Sequence, residues 1–192
     1  MRLMIHNQVS EIQSKISSTC NKLGRNPSEV IIIGVTKFAS VENIKEAIES
    51  GIVHIAENKV QEAQKKFPEL KKSYPNLKCH LIGHLQTNKV KAALQVCDVI
   101  QSVDSLKLAK EIERQAEKLG REAEILVQVK TSGEEQKFGV EPAEALALIA
   151  DIAKLKRVKI LGLMTMAPFT PAKSTAMPVD LAAVLARGMT SQ

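Results

Sequence analysis

The run Val30-Ile-Ile-Ile-Gly-Val35 is the stretch of sequence that indicates the fold most directly. It is continuous, apolar and rich in β-branched residues, and turn-forming residues bound it, which is typical of a strand buried on both faces. Upstream of the run, apolar residues at helical spacing predict a helix that Gly24 and Pro27 end. A doubly buried strand of this kind belongs to a parallel sheet.

Downstream of this run, helix and strand patterns alternate along the chain. The periodicity predicts helices over residues 41–50, 59–67, 89–96, 105–119 and 142–154. It predicts further strands over residues 52–56, 78–82, 98–102, 124–130 and 158–164. Six strands separated by helices require a parallel sheet, which is either a doubly wound open sheet or a (β/α)8 barrel.

Two features of the predicted strands favour the barrel. Neither a Gly-x-Gly-x-x-Gly nor a Gly-x-x-x-x-Gly-Lys-Ser/Thr pattern follows the first strand, which weakens both nucleotide-binding forms of the open sheet. Small or branched residues occur throughout the strands, as a barrel interior requires. A closed barrel needs eight strands, and only about six are evident before a Pro-, Ala- and Thr-rich stretch begins. We therefore predict an incomplete barrel domain over residues 1–170 and an atypical tail over residues 171–192.

Composition narrows the functional classes. The chain has 192 residues, 44% of them apolar and 25% charged, which indicates one globular domain with a core and excludes a disordered chain. The net charge is +6, but acidic and basic residues alternate along the predicted helices and only 3% of residues are aromatic. These features predict no nucleic-acid surface. A basic module that binds RNA or another anionic surface is the alternative that the charge suggests.

Apolar runs and cysteines indicate the compartment. No apolar run reaches the length of a signal-peptide core or a membrane span, so we predict no membrane partner. Cys20, Cys79 and Cys97 form no Cys-x-x-Cys pair, which predicts free thiols in a reducing cytoplasm. The densest basic cluster, residues 65–72, contains Pro68 and is predicted to be a loop.

Polar side chains follow the predicted carboxyl ends of the strands, where parallel α/β proteins have their working residues. Lys37 follows the first strand, and Glu57 and Asn58 follow the second. Apolar walls around an amine disfavour the charged ammonium, which leaves the nucleophile that a Schiff base requires. From position alone, a surface lysine is the commoner interpretation of Lys37.

A metal site is not predicted. His80 and His84 are four residues apart, but a helical His-Glu-x-x-His site needs both on one helix face with a glutamate between them. Here the intervening residues are Leu-Ile-Gly, on a predicted strand. The spacing therefore does not indicate zinc.

Six motifs occur in order between residues 5 and 170. They are Val35-Thr-Lys-Phe-Ala39, Ala56-Glu-Asn-Lys-Val-Gln-Glu62, Cys79-His-Leu-Ile-Gly-His-Leu-Gln-Thr-Asn-Lys89, Ser102-Val-Asp-Ser105, Val127-Gln-Val-Lys-Thr-Ser-Gly-Glu-Glu-Gln-Lys-Phe-Gly139 and Leu161-Gly-Leu-Met-Thr-Met166. In this order they resemble the motifs of the pyridoxal phosphate homeostasis proteins, also known as the proline synthetase co-transcribed proteins. The order and number of the motifs make the resemblance specific.

The resemblance implies a barrel like the amino-terminal domain of alanine racemase. It implies that Lys37 forms a Schiff base with pyridoxal 5′-phosphate, that Asn58 lies near the oxygen side of the cofactor ring, and that His80 and Met164 form the pocket wall. It also implies a cytoplasmic carrier or regulator in pyridoxal phosphate homeostasis, with no established turnover and no catalytic residues. The physiological protein partner is unknown.

The end of the chain departs from the family pattern. Gly188-Met-Thr-Ser191 resembles the motif of the seventh strand, which would put Thr190 in contact with the cofactor phosphate. A later family segment, which supplies further phosphate contacts and an arginine at the pyridine nitrogen, is absent. We therefore expect a truncated or frameshifted carboxyl terminus, weak cofactor binding, and aggregation or dimerisation through an open sheet edge.

A racemase acting on amino acids through the same cofactor is the alternative function. Racemisation needs a base on each face of the substrate. Lys37 could be one base, and the single tyrosine, Tyr74, is the residue type that supplies the other. Tyr74 is predicted to lie in a loop on the amino-terminal side of the third strand, away from the rim where barrel active sites lie. The sequence therefore favours cofactor binding without turnover.

Overall fold

The computed structural model describes residues 2–131 and 138–166. Within them, six parallel strands form one sheet in sequential order. The strands are β1 Ile33–Val35, β2 His54–Glu57, β3 Lys78–Leu81, β4 Val99–Val103, β5 Ala123–Gln128 and β6 Val158–Met164. Each strand pairs in parallel with the next. A doubly wound sheet reverses its strand order at a switch point, and this order never reverses. The sheet is therefore a partial (β/α)8 barrel, as the sequence predicts.

Helices connect the strands and cover the outer face of the sheet. They are α1 Arg2–Lys22, α2 Val41–Glu49, α3 Val60–Ser73, α4 Val90–Val96, α5 Leu106–Lys118 and α6 Pro142–Ile152. Ser40 and Ser105 begin α2 and α5, because each serine hydroxyl oxygen accepts a hydrogen bond from a backbone amide in the first turn. Glycine in a left-handed conformation follows α1 at Gly24, where the sequence predicts the end of the helix.

Two predicted boundaries are wrong. The first strand begins at Ile33 rather than Val30, because Pro27–Glu29 forms a 3-10 turn that Asn26 caps. Helix α3 continues to Ser73, so the lysine cluster of residues 65–72 is helical and not a loop. Pro68 lies inside this helix at a cost of about 3 kcal/mol. The burial of Phe67 and Leu70 offsets that cost at about 1.5–3 kcal/mol for each apolar side chain.

The two faces of the sheet differ in polarity. Ile55, Cys79 and Leu81 are buried in the apolar cluster between the strands and the helices. Because neighbouring side chains of a strand point to opposite faces, His54 and His80 lie on the inner face. The core of the molecule is therefore on the outer side of the sheet, and the inner side carries polar groups.

Candidate functional site

A cavity of about 310 Å³ lies at the carboxyl ends of the strands. Its lining comes from the residues that end β1, β2, β3, β5 and β6: Val35, Lys37, Asn58, Ile82, Gly83, His84, Gln128, Phe138, Met164 and Met166. Three of the predicted site residues, Lys37, Asn58 and Met164, are thus brought to one place. They come from different strands because parallel strands present all their carboxyl ends on one rim.

Lys37 projects from a strained turn that follows β1. The Ala39 amide donates to the Thr36 carbonyl oxygen at 3.0 Å, which closes the turn around Lys37 and Phe38. Phe38 has a φ of +64°, a conformation that non-glycine residues seldom adopt, and its side chain is 99% exposed. Burial of the phenyl ring therefore does not offset the energetic cost of this backbone conformation.

Lys37 is exposed, which corrects the expectation of an amine held against apolar walls. Within the described residues β1 pairs with β2 alone. Val35, the last residue of β1, is also partly exposed, at 47%. A second cavity of about 530 Å³ adjoins Lys37 on the side of α2 and α3.

A buried ion pair lies behind the Lys37 turn. Glu57, the last residue of β2, bonds to Lys66 of α3, and the same lysine also donates to the Thr36 carbonyl oxygen. Neither contact is predicted from the sequence, because Lys66 lies where the helix predicted over residues 59–67 overlaps the lysine cluster predicted to be a loop. The available signal is the pair of apolar residues Phe67 and Leu70, whose spacing of three continues the helical period past Pro68.

Gly83 allows the loops after β2 and β3 to touch. A Cβ atom at Gly83 would lie 2.1 Å from the Asn58 carbonyl oxygen, a distance that real Cβ atoms do not reach. The Ser102 hydroxyl donates to the Gly83 carbonyl oxygen at 2.7 Å from the other side. Asn58 is thus placed at the cavity by direct backbone contact, and the glycine of the Ile-Gly-His motif has a steric reason.

Phe138 and His84 form one part of the cavity wall. Their rings stack with centroids 3.9 Å apart and planes 13° apart. Asp104, after β4, lies 3.7 Å from His84 Nδ1, and the Gln128 amide donates to the Phe138 carbonyl oxygen at 3.0 Å. The sequence indicates Phe138 only as part of a motif, since an aromatic residue between loops has no periodic signal.

His80 does not line the cavity with the other predicted residues. It lies two residues before Ile82, and same-face residues of a strand are separated by about 6.6 Å, so Ile82 occupies the wall and His80 lies one layer deeper. There, its Nε2 lies 2.9 Å from Nδ1 of His54, and its Nδ1 lies 2.9 Å from the side-chain nitrogen of Gln101. Burial, together with the smaller effect of the neighbouring His54, lowers the pKa of His80 to about 4.

Two further predictions concern metals and the tail. Within residues 2–131 and 138–166, no cluster of three or more His, Cys, Asp and Glu side chains could hold a metal ion. Thr190 and the tail of residues 171–192 lie outside the described residues. No helix in the described part of the chain is both long enough and apolar enough to cross a bilayer.

Comparison with known sequences gives a consistent family. Residues 10–186 match the family model of the alanine racemase N-terminal domain. The pyridoxal phosphate homeostasis protein of Aquifex aeolicus is 37% identical over 162 residues, which are 84% of this chain and 70% of that protein. The protein of the same name from Schizosaccharomyces pombe is 36% identical over 163 residues, which are 84% of this chain and 65% of that protein.

Comparison with solved structures gives the same fold. An unknown protein from Bifidobacterium adolescentis superposes with a TM-score of 0.84 at 31% identity, covering 97% of this chain and 75% of that one. PipY of Synechococcus elongatus, solved with pyridoxal phosphate bound, gives a TM-score of 0.70 at 36% identity, covering 82% of this chain and 72% of PipY. Alanine racemase of Clostridium difficile shares the fold at 21% identity and a TM-score of 0.60, covering 71% of this chain and 37% of the racemase.

Proposed function

The chain belongs to the pyridoxal phosphate homeostasis proteins, within the alanine racemase N-terminal domain family, and from that premise we propose that it binds pyridoxal 5′-phosphate through a Schiff base on Lys37. Its role is then to carry or supply the cofactor in the cell, without turnover of a substrate. The single observation that carries the proposal is the cavity at the strand ends, which Lys37 shares with Asn58 and Met164.

The residues of the cavity fit the cofactor. Lys37 supplies the primary amine that an aldehyde requires, and its position at the rim leaves the amine accessible. Ile82 and Met164 supply apolar surface for a ring, and Asn58 supplies a polar side chain beside them. The volume of about 310 Å³ is at the lower end of ligand pockets, which span roughly 300–1,000 Å³. When bound, the cofactor would supply an electron sink, and the protein its orientation.

Borohydride trapping tests the proposal. The protein is incubated with pyridoxal 5′-phosphate and reduced, and the modified peptide is mapped by mass spectrometry. At excess cofactor we expect the label on Lys37 alone and none in Lys37→Ala, whereas the control Lys59→Ala, at a lysine that lines the adjoining cavity, should label as the wild type does. A label that is distributed over other lysines, or one that survives Lys37→Ala, would refute the assignment.

The alternative function, racemisation, needs a second base. Tyr74 follows α3 and precedes β3, at the end of the sheet opposite the cavity, and its hydroxyl donates to Glu49 Oε1 at 3.1 Å. Burial and the Glu49 carboxylate raise the pKa of Tyr74, which makes it a poorer source of a phenolate at neutral pH. These features support binding without turnover.

One observation keeps the racemase testable. His84 is the titratable side chain that lines the cavity together with Lys37, among the cavity residues that the structure describes. If the chain racemises an amino acid faster than free cofactor does, His84→Asn should abolish the excess rate and Tyr74→Phe should not. An excess rate that depends on Tyr74 would contradict the placement of the tyrosine outside the site.

We propose a cytoplasmic location and the predicted division into residues 1–170 and a tail. Cys20, Cys79 and Cys97 are free and buried, as thiols remain in a reducing compartment. Burial raises the pKa of Cys79 and of Cys97 to about 12, so neither forms a reactive thiolate at neutral pH. A fluorescent fusion observed in cells would test the location.

A further inference from the structure

We infer that Lys66, through its buried ion pair with Glu57, is a positioning residue for Lys37, and that it fixes the backbone from which Lys37 reaches the cofactor. This inference rests on the proposed function, since it assigns Lys37 the same role. Lys66 lies on α3 and Lys37 follows β1, so the two residues are far apart in sequence and meet only in the fold.

The contacts join α3 directly to the Lys37 turn. Lys66 Nζ donates to Glu57 Oε1 at 2.8 Å and to the Thr36 carbonyl oxygen at 2.9 Å. The Thr36 hydroxyl donates to the same Glu57 oxygen at 2.7 Å, with the Ala56 carbonyl oxygen 3.0 Å away as a second acceptor. The Thr36 carbonyl oxygen also accepts the Ala39 amide that closes the turn. Lys66 therefore holds the residue immediately before Lys37.

The burial of this pair argues that it serves more than stability. The Glu57 side chain is 1% exposed and that of Lys66 13% exposed, so both charges have lost most of their water. A buried ion pair is weak evidence for stability, because its attraction often only offsets the cost of desolvation. What the pair does provide is orientation of Thr36: Lys66 donates to the Thr36 carbonyl oxygen, and Glu57 accepts from the Thr36 hydroxyl.

The conformation of Phe38 gives the second argument. A non-glycine residue at positive φ persists only where the surrounding structure over-determines the backbone. The exposed phenyl ring supplies no contact that would do so. The bonds to Thr36 and the Glu57–Lys66 pair beneath them are the constraints that the described residues offer. A rigid turn lowers the entropy cost of presenting a flexible lysine to a bound aldehyde.

The experiment separates covalent capture from binding. Lys66→Met, Lys66→Arg and the control Lys65→Met are compared with the wild type. Lys65 is the adjacent lysine on α3, is 70% exposed and pairs with Glu62 at the surface. For each protein we measure covalent capture of pyridoxal 5′-phosphate and the affinity for pyridoxamine 5′-phosphate, which has the ring and phosphate but no aldehyde.

We expect Lys66→Met to lower covalent capture about tenfold or more, because a misdirected nucleophile loses its effective concentration. The affinity for pyridoxamine 5′-phosphate should stay within about twofold. Lys66→Arg should restore most of the capture, and Lys65→Met should change neither quantity. An equal loss of both quantities in Lys66→Met would mean a general structural role, and no loss would mean no role; either result overturns the inference.

Two further measurements keep the test decisive. If Lys66→Met does not fold because Glu57 is left buried without a partner, the double variant Glu57→Gln, Lys66→Met removes both charges and should show the same split. Hydrogen exchange of the Ala39 amide, measured without cofactor, should be faster in either variant while the amides of α5 keep their protection. A wild type that captures no cofactor refutes the proposed function, whereas unchanged Ala39 exchange refutes the positioning.

Discussion

Strand β2 contributes to two buried polar networks, of which one contains a charged pair and the other contains neutral imidazoles. At its carboxyl end, Glu57 faces the helices and is paired with the Lys66 ammonium. At its amino end, His54 faces the inside of the sheet and bonds to His80, whose pKa burial lowers to about 4. A buried charge is tolerated only with a partner, whereas a buried imidazole can release its proton instead. The ionic network lies at the candidate site and the neutral one fills the layer below.

The largest effect is expected when the ionic network loses one member. Glu57→Ala leaves the Lys66 ammonium buried without its carboxylate, which should lower the free energy of unfolding by about 3–5 kcal/mol. Urea denaturation measures the change. The control Glu62→Ala removes the exposed partner of Lys65 and should cost under about 1 kcal/mol. Similar losses in the two variants would mean that burial does not distinguish the pairs.

A smaller effect is expected where the loops of the rim touch. Gly83→Ala places a methyl group against the Asn58 carbonyl, and because the obstacle is backbone, the loop after β2 or β3 must move. We expect a loss of about 1–3 kcal/mol in the free energy of unfolding, as for other overpacked positions. Crystallography of the variant should show Asn58 displaced from the cavity. An undisplaced Asn58 at wild-type stability would contradict the steric reason for this glycine.

The pH dependence of stability tests the neutral network of His54 and His80. Because the pKa of His80 is about 4 in the fold and near 6.5 in the unfolded chain, the unfolded state binds more protons between these values. The contribution of His80 to stability is complete above about pH 6.5 and is lost as the pH falls to about 4, by about 3 kcal/mol in total. His80→Gln should flatten this part of the stability profile, as followed by urea midpoints from pH 7.5 to 4. If His80→Gln keeps the full wild-type slope, the loss of stability in acid comes from a group other than His80.

The smallest effect concerns the strained turn. Phe38→Gly removes the side chain that disfavours positive φ, while no buried contact is lost because the phenyl ring is exposed. The free energy of unfolding should rise by about 1 kcal/mol, which thermal denaturation can resolve. If positioning requires the turn to be rigid, covalent capture at Lys37 should fall in the same variant. A destabilised protein would show that the phenyl ring has a packing role.

Much of the fold follows from the sequence because its signals are local. The β-branched run ending at Val35, the stripes of apolar residues in the helices, and the alternation of the two determine the parallel order of the six strands. The same local signals locate Lys37 and Asn58 just past strand ends, where the geometry of parallel sheets collects functional side chains. For these features, neighbours in the chain supply the whole argument.

The tertiary structure alone decides what each polar residue does. Lys65 and Lys66 are identical and adjacent, yet one lies at the surface and the other reaches Glu57, because successive residues on a helix point about 100° apart and only packing decides which face is inward. The alternation of side chains along β3 predicts that His80 lies on the inner face, but it does not predict how far His80 lies from the rim. In the fold, Ile82 and not His80 lines the cavity. Burial, and with it charge state and direction, depends on residues distant in sequence, which no local pattern of this chain encodes.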